Sequence, residues 1–154
     1  MDCLSCRNND QIDALPPREC VAADEHWRVS HAFNSALPGW LILVPRRHVT
    51  AIAELTDAEA AALGPWQVRL SRALHAVTGC QKTYLVQLAE QAGFEHVHFH
   101  LVPRMPGLPD THRGRNVFQY LIPAPGRGIS EGERDGVALA LTQWMGFQPS
   151  EPAR

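Results

Sequence analysis

The segment His96-Val97-His98-Phe99-His100-Leu101-Val102-Pro103-Arg104 places three histidines at alternate positions. Side chains of an extended strand alternate between faces, so His96, His98 and His100 share one face and Val97, Phe99 and Leu101 the other. Neighbouring rings on one face then stand about 7 Å apart. Every buried imidazole needs partners for a donor and an acceptor, which makes such a row a poor way to fill a core. Two kinds of chemistry would use it. In the first, one imidazole is the nucleophile. Its ordinary pKa of about 6.5 leaves it mostly neutral at pH 7, and the phospho-imidazole it forms passes its group on to water. In the second, two or three rings hold a metal, and His-x-His on a strand suits tetrahedral zinc. Cys3-Leu4-Ser5-Cys6 adds a C-x-x-C spacing, a zinc-type pair that is weak evidence by itself.

These residues need a scaffold. Glu19 to Ala23 and Trp27 to Phe33 read as a hairpin joined across Asp24-Glu25. Pro38-Gly39 signals a turn, and Trp40-Leu41-Ile42-Leu43-Val44 follows as a buried strand ended by Pro45. Thr56 with Glu59 forms a capping box. The helix it opens spaces Leu63, Trp66 or Gln67, Leu70, Leu74 and Val77 along one face and stops at Gly79. Gly64-Pro65 is expected to bend this helix or split off its first turn. Lys82 to Ala89 and His96 to Arg104 read as strands. Residues 105–128 read as a loop interrupted by Val117 to Ile122. Ser130 and Glu133 cap a last helix with Val137, Leu141, Trp144 and Met145 on one face. Residues 1–19, polar and carrying Pro16-Pro17, are expected to be irregular. The pattern is α+β with an antiparallel sheet.

The length of 154 residues suits a single domain over 1–154, with 105–154 as loop plus C-terminal helix. Hydrophobic content of 45% and charged content of 19% are those of a globular protein. A net charge of −2 without a basic stripe argues against a nucleic-acid polymer as partner. The start of the chain lacks a signal pattern, and the longest apolar run, Trp40 to Pro45, is too short for a bilayer, so a cytoplasmic protein without membrane partners is expected. Four cysteines are too few for a disulfide framework. Cys20 and Cys80 sit in apolar settings and read as core.

The H-x-H-x-H run followed by apolar residues and Pro103-Arg104 resembles the signature of the histidine triad (HIT) superfamily of nucleotide hydrolases and transferases. Upstream, Pro38-Gly39-Trp40-Leu41-Ile42-Leu43-Val44-Pro45-Arg46-Arg47-His48 is similar to the family strand that ends in Pro-Lys/Arg-x-His. The helix opened by Leu55-Thr56 lies where the family has one. The resemblance covers roughly residues 3–104, and the C-terminal third carries no family motif. It implies a five-stranded antiparallel sheet with one long helix packed on it and a C-terminal helix, usually in a two-fold homodimer. It implies that His98 attacks the α-phosphorus of a nucleoside phosphoramidate, a dinucleoside polyphosphate or a related donor. A nucleotidyl-histidine forms, and water then releases the nucleoside monophosphate. His100 would contact the phosphate or the leaving group, and backbone amides near Gly93 and at His98 would stabilise developing charge. Some bacterial members, and the related galactose-phosphate uridylyltransferases, carry a C-x-x-C that joins the Pro-Lys/Arg-x-His histidine and the first triad histidine around zinc. Transferred residue by residue, those ligands are Cys3, Cys6, His48 and His96. The row then divides, with His96 on structural zinc and His98 on chemistry.

Several family positions differ. The Gly-Gln-Ser/Thr before the triad is Gln91-Ala92-Gly93, which removes a phosphate-touching hydroxyl and leaves the Gly93 N–H. The ribose-gripping aspartate falls near Ala32, with Asn34 two residues on and able to bond one hydroxyl. A family histidine beside the Pro-Gly turn is Trp40, which stacks on a ligand or packs. Phe33, Asn34, Trp40 and Gly93 are thus the nucleotide-binding candidates. Glu90 orients a histidine, meets an amine leaving group, or is a solvated charge. Arg46, Arg47 and Arg104 draw phosphate or simply end their strands. His26, His31, His75 and His112 read as surface or packing. Two rivals stand beside the nucleotide enzyme: a zinc hydrolase with His96, His98 and His100 on a catalytic metal, and a nucleotide-binding regulatory module with weak catalysis.

Overall fold

The computed structural model describes residues 3–121 and 126–147. Five strands, β1 (Ala22–Ala23), β2 (Trp27–His31), β3 (Leu41–Pro45), β4 (Lys82–Gln87) and β5 (Phe99–Arg104), form one antiparallel sheet in the order β1-β2-β3-β5-β4. Parity sorts the three central strands. Trp27, Val29, Leu41, Leu43, Phe99 and Leu101 belong to the main core. Arg28, Ser30, Ile42, Val44 and His100, one position along, line a cavity on the opposite face.

The core face is covered by α2 (Asp57–Thr78) through Trp66, Leu70, Ala73 and Leu74. The capping box is formed: the Glu59 N–H donates to Thr56 Oγ1 at 3.2 Å and the Thr56 N–H to Glu59 Oε2 at 2.7 Å. Gly79 closes the helix at φ 72°, a left-handed conformation that costs glycine nothing. The helix runs through Gly64-Pro65 without splitting off its first turn. Its capped start and the buried Trp66–Leu74 face hold it together despite the missing N–H. Helix α3 (Glu131–Met145) adds Ala138, Leu141 and Met145 to the same core. Trp144, expected on that face, is 48% exposed, because the register that buries Leu141 and Met145 turns position 144 outward.

Other boundaries move for local reasons. The expected strand from His96 starts at Phe99, because the Val97 N–H donates instead to Val49 O at 2.8 Å in the segment after β3. Strand β4 ends at Gln87, two residues before Ala89, whose φ of 54° turns the chain off the sheet. The stretch from Val117 is a 3-10 helix, Gly114–Tyr120, and Ile122 lies outside the described residues. The N-terminal segment is not irregular. It forms α1 (Leu4–Asp10) and two 3-10 turns, Ile12–Ala14 and Pro17–Glu19. Cys3 caps α1 by accepting the Cys6 N–H on its Sγ at 3.4 Å. Buried Asn9 anchors the helix by donating to Pro45 O and Arg46 O at 3.2 and 3.0 Å. No helix among the described residues is long and apolar enough to cross a membrane.

Candidate active site and metal centre

A cavity of about 420 Å³ opens on the even-numbered face of the sheet, with His96, His98 and His100 in its wall. Hydrogen bonds fix which nitrogen of each ring carries the proton. His98 Nδ1 lies 2.8 Å from the carbonyl oxygen of His96, so Nδ1–H is the donor and Nε2 keeps its lone pair. His100 Nδ1 accepts the Trp40 Nε1–H at 3.1 Å, which leaves its proton on Nε2. Burial, reinforced by the neighbouring His98, pulls the His100 pKa down to about 4, so the ring is neutral at pH 7. The two rings stand edge to face with centroids 5.0 Å apart. One therefore offers a lone pair and the other an N–H donor.

His96 faces elsewhere. Its Nε2–H donates to Pro45 O at 3.0 Å, which frees the Nδ1 lone pair. That nitrogen lies 3.4 Å from Cys3 Sγ, 3.6 Å from Cys6 Sγ and 3.3 Å from His48 Nδ1, and Cys6 Sγ is 3.2 Å from His48 Nδ1. All four atoms lie within 4.8 Å of one another, a group able to hold a metal ion. Burial and the adjacent Cys3 raise the Cys6 thiol to about 11 without a cation; a bound cation inverts that preference by taking the thiolate. Burial likewise lowers His96 to about 4, keeping it neutral as a ligand must be. Of the three histidines only His96 joins this group.

The other anticipated residues fall in different places. Asn34 and Gly93 line the cavity, Gly93 at φ 85° in the turn where the Phe94 N–H donates to Gln91 O at 2.8 Å. Phe33 is 53% exposed and stacks on Phe94, with centroids 6.0 Å apart, and both line the cavity. Trp40 is fully buried behind His100, packed edge to face against it and against Phe118. Glu90 also reaches the cavity wall. Arg47 is engaged with Glu59 at 3.0 and 2.8 Å, and Arg46 donates to Asp24 O at 3.3 Å. The arginine in the cavity wall is Arg28. His31 is buried between backbone partners, donating from Nδ1 to Ala32 O and accepting the Gly39 N–H on Nε2, both at 2.9 Å. Cys80 is in the core, whereas Cys20 is half-buried.

Arg28, Ser30 and the α1 residues Ser5 and Asn8 are cavity residues that motif reading passed over. The parity of β2 was available as a signal for the first pair. For α1 no signal existed once residues 1–19 read as irregular.

A fold of this topology with a histidine-lined cavity on one sheet face is that of the histidine triad proteins. The HIT domain family model matches residues 16–107, and the chain belongs to the HIT family. A comparison with curated proteins finds no match. Among solved structures, the chain is similar to a zinc-bound histidine triad family protein from Mycobacterium smegmatis at 22% identity and TM-score 0.65, covering 94% of this chain and 96% of that one. A hypothetical histidine triad nucleotide-binding protein from Sulfolobus tokodaii aligns at 17% identity and TM-score 0.71, over 94% and 92%. A histidine triad protein from Bradyrhizobium japonicum aligns at 26% identity and TM-score 0.65, over 80% and 87%.

Proposed function

We propose that this HIT protein is a nucleotide hydrolase or nucleotidyl transferase with His98 as nucleophile. The observation that carries the reading is the His98 Nδ1–H bond to His96 O at 2.8 Å, which in the neutral ring places the lone pair on Nε2 of a residue lining the cavity. In the proposed step Nε2 bonds to the α-phosphorus of a phosphoramidate, dinucleoside polyphosphate or related donor, and the bond from phosphorus to the leaving group breaks. The His100 Nε2–H donates to a phosphoryl oxygen or to the leaving atom. Water then attacks the same phosphorus, the N–P bond breaks, and a nucleoside monophosphate is released. Backbone N–H groups at Gly93 and His98 are the candidate oxyanion donors. Asn34 and Phe33 belong to the nucleotide-binding set, and Trp40 acts on the ligand through His100.

Cys3, Cys6, His48 and His96 would hold a structural zinc ion. Zinc at about 2.3 Å from sulfur and about 2.05 Å from nitrogen gives tetrahedral edges of about 3.3 Å between nitrogens and about 3.6 Å between nitrogen and sulfur. The separations of 3.2, 3.3, 3.4 and 3.6 Å fit those edges. Such an ion would tie α1 to the sheet and leave His98 and His100 free for substrate. A catalytic metal on all three histidines is disfavoured because His100, accepting the Trp40 N–H on Nδ1, carries its proton on Nε2, and because His96 is spent on Pro45 O and on the group with Cys3, Cys6 and His48. The reading includes a cytoplasmic homodimer. Among the described residues strand β4 pairs on one side only, and Leu85 on it and Val68 on α2 are 48% and 49% exposed.

The test is to mix the protein with a nucleoside phosphoramidate, quench with base, and map any nucleotidyl adduct by mass spectrometry. An adduct on His98 is expected. His98→Ala should abolish it and lower kcat by roughly 10⁴-fold or more. Substrate turnover that survives in His98→Ala, or an adduct elsewhere, would refute the assignment. A wild type that binds nucleotide yet turns over no donor would point to the regulatory module.

A further inference from the structure

Strand register gives the cavity two chemically different ends. Arg28 pairs with Val44 and Ser30 with Ile42, while Ile42 pairs with His100 and Leu43 with Phe99, so Val44 stands level with His98. Arg28 and Ser30 therefore lie two strands across from the histidines, about 10 Å at about 4.8 Å per strand. That is the reach of a nucleoside monophosphate from its phosphorus to the far edge of its base. Between the two ends the floor is Ile42 and Val44, an apolar surface for the flat face of a base.

The far end is polar and its groups are only partly spent. Arg28 is 2% exposed, donating through Nε to Asn9 Oδ1 at 2.7 Å and through Nη1 to the Glu19 carbonyl. Its Nη2 hydrogens have no partner among the described residues. Glu19 uses Oε2 to accept the Asn8 Nδ2–H at 3.2 Å, and Oε1 remains. Ser30 makes no side-chain hydrogen bond among the described residues. Arg28, Glu19, Ser30 and Asn8 line the cavity. A guanidinium donor and a carboxylate acceptor at the same end of the cavity suit a base that offers acceptors and donors side by side. Guanine presents the acceptors O6 and N7 next to the donors N1–H and N2–H₂, and Arg on O6/N7 is a recurrent pairing. Adenine presents an amino donor at position 6, where the guanidinium would need an acceptor. Its N1 is an acceptor, which faces a carboxylate unfavourably.

We propose that Arg28, Glu19 and Ser30, closed over by Asn8 of α1, form a base-edge subsite that selects guanine nucleotides over adenine nucleotides. This rests on the nucleotide reading above. The test is calorimetric titration of the metal-loaded full chain with GMP, IMP, 7-deaza-GMP and AMP. GMP is expected to bind at least about tenfold more tightly than AMP, because a site built to hydrogen-bond a group rejects the analogue lacking it. IMP, without the 2-amino group, and 7-deaza-GMP, without N7, should fall between them. Glu19→Gln keeps an acceptor for Asn8 and should bring GMP and AMP within about threefold, mostly by weakening GMP. AMP binding as tightly as GMP in the wild type, or a Glu19→Gln variant with the full GMP preference, would overturn the subsite and leave the nucleotide reading standing. Failure of all four ligands to bind would overturn both.

Discussion

At His100 the position of one proton is decided by a neighbour that never touches the ligand cavity. The Trp40 Nε1–H occupies His100 Nδ1 at 3.1 Å, and the ring must then carry its hydrogen on Nε2. Trp40→Phe removes that donor and lets the other tautomer compete. The expected outcome is a kcat lower by about 5- to 30-fold, matching one lost hydrogen bond of roughly 1–2 kcal/mol, with KM nearly unchanged. The ¹⁵N spectrum of His100 should change from a single Nε2–H form to a mixture. An unaltered spectrum would remove Trp40 from its positioning role. The histidine row itself was legible in the sequence because a period of two needs no tertiary knowledge. The proton positions were not legible. They depend on the His96 carbonyl folding back onto His98 and on Trp40 meeting His100 from 60 residues away.

At the scale of elements, helix α1 is the instructive case. Seven residues are too few for a helix to persist alone in water. It is held by Asn9 on the β3 end and by the Cys3 and Cys6 thiols against His48 and His96. If an ion occupies the group of Cys3, Cys6, His48 and His96, as proposed, chelating it should expose the Leu4–Asp10 amides to hydrogen exchange, while the amides of α2 stay protected. Equal protection of α1 in the stripped protein would mean that the ion does not hold it. Sequence reading missed α1 because its stabilisation comes almost wholly from groups distant in the chain. Both capping boxes were legible, since Thr56 with Glu59 and Ser130 with Glu133 act within one turn. Pro65 misled for the opposite reason, as its local cost is outweighed by the buried face of α2.

For the molecule as a whole, buried neutral imidazoles make folding sensitive to acid. Burial lowers His31 and His100 to about 4 from an ordinary 6.5. The unfolded chain therefore binds protons between these values that the folded chain refuses. The stabilisation is complete above pH 6.5 and drains away as pH falls through 6.5 toward 4, on the order of 2–3 kcal/mol for each ring. Urea unfolding at pH 7.5 and 4.5 should show this loss, and His31→Gln should show a smaller one. A variant with the full acid loss would clear His31 of responsibility.

The alternation of the central strands carries one more consequence. Leu41 and Leu43 face the core, whereas Ile42 and Val44, interleaved with them, face the cavity. The same five-residue strand thus writes two messages on separate tracks, one read by the helices behind it and one by whatever enters in front. An exchange on the even track can retune what the pocket accepts without touching the interior. One on the odd track alters durability and leaves the pocket's surface chemistry as it was.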